Sequence, residues 1–255
     1  MLGDMENSFL SVRNMSYMLD IHSTLRGISF DLKQGDNIVF FGLENSGIDK
    51  ICPFISCAID DFDGDVFFKG HDVKNASYFE RNIIRKDMVY LQRGYGLITN
   101  MTVYENIALP LRYHSTMTSD EIDYRVNQLI DEMEIDLSRD MRPVDIYQSE
   151  RLKTAFARAI ALNPDLLLAE HPLEAQCVLN VMSVMRSLKK WADSPLKSVI
   201  IVAYNPAVFS DIANRFIMLY RGEVVFDGTR EEFLSTTNEY VVQYMTFSPK
   251  GPMMV

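Results

Sequence analysis

The sequence predicts an α/β fold: a sheet core that carries an antiparallel β subdomain and a helical insertion. Three observations predict it. Short apolar runs alternate with helical stretches in the C-terminal half, paired strands crowd the N-terminal part, and one block of helical periodicity separates the two. Phe9–Tyr17 and Gly27–Leu32 read as strands, followed by a turn at Lys33–Asp36 and the run Asn37–Phe41, which stops at Gly42. That run is apolar almost throughout, as a strand buried on both faces must be. Gly64–Gly70 reads as a further strand pair, and Met88–Leu91 closes this half. From Thr102 to about Lys153 the pattern turns helical. Thr118-Ser-Asp-Glu121 gives a helix start, with Ile122, Val126, Leu129, Ile130 and Met133 following at three and four spacing. A helix over Ser149–Leu162, a buried strand at Asp165–Ala169, a helix to about Trp191, a strand at Ser198–Ala203, another helix and a hairpin over Arg215–Gly228 complete the order. The tail after Tyr244, with Pro249, Gly251 and Pro252, reads as extended.

Composition narrows the function classes. The 255 residues are 47% hydrophobic and 24% charged, an ordinary globular balance. Lys+Arg number 25 against 35 Asp+Glu, a formal net charge of −10, so binding to nucleic-acid phosphates, which needs a basic face, is not expected. No run approaches the ~18–20 apolar residues that span a bilayer, and Met1–Ser11 carries Asp4 and Glu6 where a signal peptide is basic and then apolar. A cytoplasmic location is expected. Cys52, Cys57 and Cys177 show no metal spacing, and their odd number suits free thiols. His22, His71 and His114 are isolated, and no metal site is expected.

Several phrases, in this order, resemble the ATP-binding subunit of ABC transporters from Leu10 to about Leu234. Leu25–Phe30 with Gly35-Asp36 and Gly42 resembles the lead-in to that family's phosphate loop. Tyr90-Leu-Gln92 before Thr102–Arg112 resembles its glutamine loop, and Ala155–Leu168 the helix and strand that link its signature motif to its second nucleotide motif. Ala108–Arg112 and the tail are similar to the branch that serves MCE-type lipid transporters. The resemblance implies a P-loop NTPase-like (RecA-like) core over 1–95 and 156–234, a helical subdomain over about 96–155 and a tail over 235–255, together one nucleotide-binding domain.

The chemistry positions depart from that pattern. A phosphate loop reads G-x-x-x-x-G-K-[ST]: glycines let backbone N–H groups close on phosphate, Lys neutralises charge and the hydroxyl binds Mg²⁺. Gly42 and Gly47 are in place, but Ile48 stands for the Lys and Asp49 for the Ser/Thr. Lys50 lies two positions on, roughly 200° round a helix that would start there, and points away. Glu44 and Asp49 bring negative charge towards a polyanion, each close pair costing about 4 kcal/mol at an effective dielectric near 20.

In the second motif the family's Asp-Glu-Pro is Glu170-His171-Pro172, and the Ser and Asp that follow in the family are missing from Leu173–Cys177. The switch histidine is Tyr204, followed by Asn205. The glycine-rich signature is Ile146-Tyr147-Gln148-Ser149-Glu150, without a glycine. Among the family's catalytic positions Gln92 alone is intact. Counting places Leu19, not Tyr17, at the usual adenine-stacking position.

The resemblance therefore implies a degenerate subunit that binds ATP and Mg²⁺ weakly or not at all, and is expected not to hydrolyse ATP. It would sit at the inner face of the cell membrane on a permease subunit, as a homodimer or paired with an intact ATPase chain. Two alternatives stand beside this: an active ATPase using residues such as His171 and Lys50, and a soluble interaction module.

Overall fold

A computed structural model describes residues 8–18, 24–174 and 176–254; Asp4, Glu6, Leu19, His22 and Ala175 lie outside the described residues. In chain order the elements are β1 (Leu10–Met18), β2 (Thr24–Leu32), β3 (Asn37–Gly42), α1 (Ile51–Ile55), β4 (Asp63–Phe68), β5 (His71–Asp72), α2 (Tyr78–Asp87), β6 (Met88–Leu91), α3 (Val103–His114), α4 (Ser119–Met133), α5 (Gln148–Ile160), β7 (Leu166–Glu170), α6 (Met182–Ala192), β8 (Ser198–Val202), β9 (Arg215–Tyr220), β10 (Glu223–Thr229), α7 (Arg230–Ser235) and α8 (Glu239–Met245).

Two sheets form, as expected. The antiparallel one has the order β2-β1-β4-β5, and the central one β10-β9-β3-β8-β7-β6, parallel from β9 to β6. Because side chains alternate across a strand, β3 feeds both cores: Ile38 and Phe40 face the antiparallel sheet and α1, while Val39 and Phe41 face the helical layer. Parallel strands covered on both faces must be apolar throughout, and β3, β7 and β8 are wholly buried.

The helix starts are built as the sequence suggested. The Thr118 hydroxyl accepts the Glu121 N–H, and the Glu121 carboxylate accepts the Thr118 N–H at 2.7 Å. The same reciprocal cap begins α3 at Thr102 and Glu105.

Several expectations need correction. Met88–Leu91 does not close the N-terminal half but pairs with β7 in the central sheet. After β8 there is no α-helix, only a 3-10 turn at Pro206–Phe209, since Pro206 starts it and Ser210 closes it within one turn. The tail is not extended: Met253 is buried and bonded back to Gln243. Helices α2, α7 and α8 went unforeseen. Among the described residues no helix is long and apolar enough to cross a membrane.

Candidate functional site

Strand β3 delivers the chain to Gly42, at the end of the central sheet. A Cβ at Gly42 would lie 2.3 Å from the Leu219 carbonyl oxygen, and one at Gly47, whose φ is +87°, 2.4 Å from that of Thr24. Packing alone therefore demands both glycines. Between and beyond them the backbone forms two 3-10 turns, Glu44–Ser46 and Ile48–Lys50. Ser46 N–H donates to the Leu43 carbonyl at 2.9 Å, Lys50 N–H to that of Gly47 at 3.0 Å, and Gly222 N–H to that of Ser46 at 3.0 Å. The helix that follows runs only from Ile51 to Ile55.

Ile48 is fully buried in the core under the antiparallel sheet. Lys50 is engaged elsewhere, its Nζ lying 5.9 Å from the centre of the Tyr17 ring. Asp49 turns the other way and meets a residue from a distant loop: its Oδ1 is 3.0 Å from Nε2 of His171. The ring nitrogen is the donor, because an ionised carboxylate only accepts. The His171 side chain is 1% exposed. Its ring stacks on Tyr204 with centroids 4.1 Å apart and planes inclined by 27°. The backbone of His171 is held at φ +44° while its N–H donates to the Val202 carbonyl at 2.8 Å, which extends the β7–β8 pairing one residue past the strand end. Burial, and after it the charge of Asp49, push the Tyr204 phenol up to about 12.

Glu170, the last residue of β7, is buried and accepts two hydrogen bonds, from the Tyr90 hydroxyl and from the Arg93 N–H at 3.2 Å. The β6–β7 register places Tyr90 beside Leu168, on the same face as Glu170 two residues on. Burial raises the Tyr90 phenol, and the bond to Glu170 raises it further. The buried Cys52 thiol is also raised, first by burial and then by the charge of Glu170.

Gln92 is exposed, and its amide lies against Gly96, where a Cβ would come within 2.3 Å of Nε2. The neighbouring Arg93 grips Glu174 with Nε and Nη2, the Nε bond measuring 2.6 Å. Arg158 of α5 ties down the same loop, donating to the carbonyls of Tyr95 at 2.8 Å and Gly96 at 2.9 Å. At the start of α5 the Glu150 carboxylate accepts the Tyr147 N–H at 2.8 Å and the Ser138 hydroxyl. A carboxylate of the chain thus occupies the helix start, where the dipole favours negative charge. Tyr147 is 81% exposed.

Two clefts border these groups. One of about 330 Å³ is lined by His171, Pro172, Leu173, Tyr204, Asn205 and Phe209; the other holds Tyr147, Gln148 and Ser149 and shares Gln176 with the first. Among the described residues, no three His, Cys, Asp or Glu side chains come together as a metal cage.

A model of the ABC transporter family matches residues 25–174, more than half of the chain. The chain belongs to the ABC transporter family. Among its curated relatives are the proteins named "Methionine import ATP-binding protein MetN 1" of Staphylococcus aureus strains MSSA476 and N315, each 25% identical over 219 residues. The match covers 86% of this chain and 64% of those proteins, so the chain spans less than two thirds of their length. The ATP-binding cassette MJ0796, solved as a dimer in a post-hydrolysis state bound to ADP and Pi, superposes with a TM-score of 0.78 at 23% identity, over 87% of this chain and 98% of that one. A second dimeric structure of the same bacterial ABC transporter cassette gives the same values. The sheet order and helical layer described above are the fold of that cassette.

In this ABC transporter chain the residues named from sequence fall into three groups. His171 bonds Asp49 on one side and stacks on Tyr204, three residues from separate motifs, with Gly42, Gly47 and Ile48 in the same loop as Asp49 and Glu170 next to His171. Tyr147 to Glu150 sit apart on the helical layer, and Gln92 is exposed in the loop after β6. Sequence reasoning missed Tyr90, Arg93, Glu174 and Tyr244. Tyr90 had no signal of its own, since its place opposite Leu168 and on the face of Glu170 follows only from the pairing of β6 with β7.

Proposed function

We propose that this ABC transporter chain is a degenerate ATP-binding-cassette subunit that does not hydrolyse ATP and serves a structural or regulatory role on a membrane permease. One observation supports the reading: the residues at the positions of the family's Mg²⁺-binding hydroxyl, catalytic Glu and switch histidine are here Asp49, His171 and Tyr204, and His171 bonds the first and stacks on the last. The residues present do not fit Mg²⁺–ATP. Ile48 offers no cation and is buried, Asp49 offers a carboxylate already taken by His171, and Ser46 and Lys50 spend their N–H groups inside the loop. At the signature position Glu150 repels a polyphosphate.

The whole chain is read as one nucleotide-binding domain, with core 1–95 and 156–234, helical subdomain about 96–155 and tail 235–255, cytoplasmic and peripheral on the inner face of the membrane. A groove between the sheet core and the helical subdomain, lined by Arg85, Tyr90, Leu109, Pro110 and Tyr113 and beginning just before Gln92, is where the permease would dock. The lipid-transport (MCE-type) branch rests on the Ala108–Arg112 phrase and the tail alone. In a homodimer both composite sites would be defective. With an intact ATPase chain, hydrolysis would come wholly from the partner's loop and catalytic residues.

Calorimetry with ATP–Mg²⁺ tests the reading. A dissociation constant above about 10 μM, weaker than roughly −7 kcal/mol, is expected. Tighter binding, together with hydrolysis lost in His171→Ala, would favour an active ATPase instead.

A further inference from the structure

The C-terminal segment reaches back to the very loops that carry Asp49 and Tyr204. Asn238 starts α8, its side chain accepting the N–H groups of Tyr240 and Val241 while its amide donates to the Val225 carbonyl at 3.0 Å. This seats the helix on β10 and buries Val241 in the core. From the same helix Tyr244 packs on Phe41, with centroids 5.6 Å apart. Its hydroxyl lies 2.7 Å from the Tyr204 carbonyl oxygen and 3.0 Å from that of Gly42. One O–H is thereby shared between two acceptors on neighbouring strand ends, just past β8 and at the end of β3.

The far end is fastened too. Gln243 is buried and uses its whole amide on the chain that follows: it donates to the carbonyls of Met253 at 3.0 Å and Ser248 at 3.3 Å, and accepts the Met253 N–H at 2.8 Å. Met254 N–H donates to the Tyr220 hydroxyl at 3.0 Å. Segments without such ties fray; residues 238–254 are bonded through Asn238, Gln243, Tyr244 and Met254.

We propose that residues 238–254 form a strap whose Tyr244 hydroxyl pins the Gly42 and Tyr204 loops together, and that this site opens only when the strap is released. A bridge between the two strand ends holds the Asp49 loop and the Tyr204 loop at a fixed separation, which keeps His171 clasped between Asp49 and the Tyr204 ring. Tyr244 is a positioning residue in this role. The inference rests on the reading of the site as closed to nucleotide. That reading fails in a nucleotide titration, whereas the strap fails in an exchange measurement.

The test is amide hydrogen exchange on the full chain, comparing wild type with Tyr244→Phe, which keeps the ring on Phe41 and removes the hydroxyl alone. Exchange in residues 42–50 and 203–209 should speed up about tenfold while β1 and β2 keep their rates, because local opening is read segment by segment. Unchanged rates in both loops, or an equal rise through the whole chain, would overturn the proposal. Should Tyr244→Phe not fold, Asn238→Ala, which removes the cap of α8 and its bond to Val225 and so loosens Tyr244 itself, is read in the same way. Faster exchange confined to 238–254, with the two loops still protected, would then overturn it.

Discussion

Asp49 and His171 stand 122 positions apart in the chain and 3.0 Å apart in the structure, one half-exposed carboxylate against one buried imidazole. Each occupies a position where the ABC transporter pattern has another residue. Their contact couples the two departures, because without Asp49 the buried ring of His171 would lose its partner.

His171→Ala is expected to cost about 2–3 kcal/mol of unfolding free energy, from the cavity left beside Tyr204 and the loss of the bond to Asp49. Denaturant unfolding measures it. A change below about 0.5 kcal/mol would mean that the stacked ring adds nothing to the fold.

Restoring the phosphate-loop side chains should be costly. Ile48→Lys with Asp49→Thr places an ammonium where a side chain is now fully buried and strips His171 of its acceptor, so stability should fall by about 3 kcal/mol. Nucleotide binding is expected to strengthen while hydrolysis stays absent, since groups that act as a unit are not rescued singly. Calorimetry and phosphate release separate the two. Turnover by the double variant would show that Glu170 or His171 is already competent.

Tyr204 and Tyr244 should titrate above the ordinary tyrosine range. Burial holds both near 12 against the ordinary 10. The unfolded chain ionises first, so their contribution to stability is complete below about pH 10 and is lost as the pH rises towards 12. Phenolate absorbance on a pH titration, with thermal melts at the same pH values, follows both. Tyr204→Phe and Tyr244→Phe should each flatten the alkaline loss.

Tyr90→Phe leaves Glu170 buried with only the Arg93 N–H as donor. A loss of about 1–2 kcal/mol is expected, and Glu170→Gln in the same background should recover part of it by discharging the acid. Chemical denaturation of the two variants shows whether the carboxylate needs the phenol.

The members of this cluster could be named without coordinates, and their contacts could not. Counting from Gly42, Pro172 and the strand at Ser198 picked out Asp49, His171 and Tyr204 as the residues expected in place of the family's chemical groups, because spacing along a strand and its turn is local. Nothing in the spacing says that these three meet. They do so because β8 pairs in parallel with both β3 and β7, which brings the C-terminal ends of the three strands to one side of the sheet. The sequence put His171 in the position of the family's Glu; enclosure and the Tyr204 stack make it a packed side chain.

Period and apolar run length by themselves determined the α/β class, the buried strands Asn37–Phe41, Asp165–Ala169 and Ser198–Ala203, and the capped start of α4 at Thr118, since each depends on contacts a few residues long. The tertiary structure alone decided the rest. It made Pro206–Phe209 a single turn, moved Met88–Leu91 into the central sheet, folded the tail onto Tyr220, and placed Tyr244 across Gly42 and Tyr204. The physical reason is the same for each: the partner that stabilises the segment lies far away in sequence, and its effect appears only once the core has brought the two together.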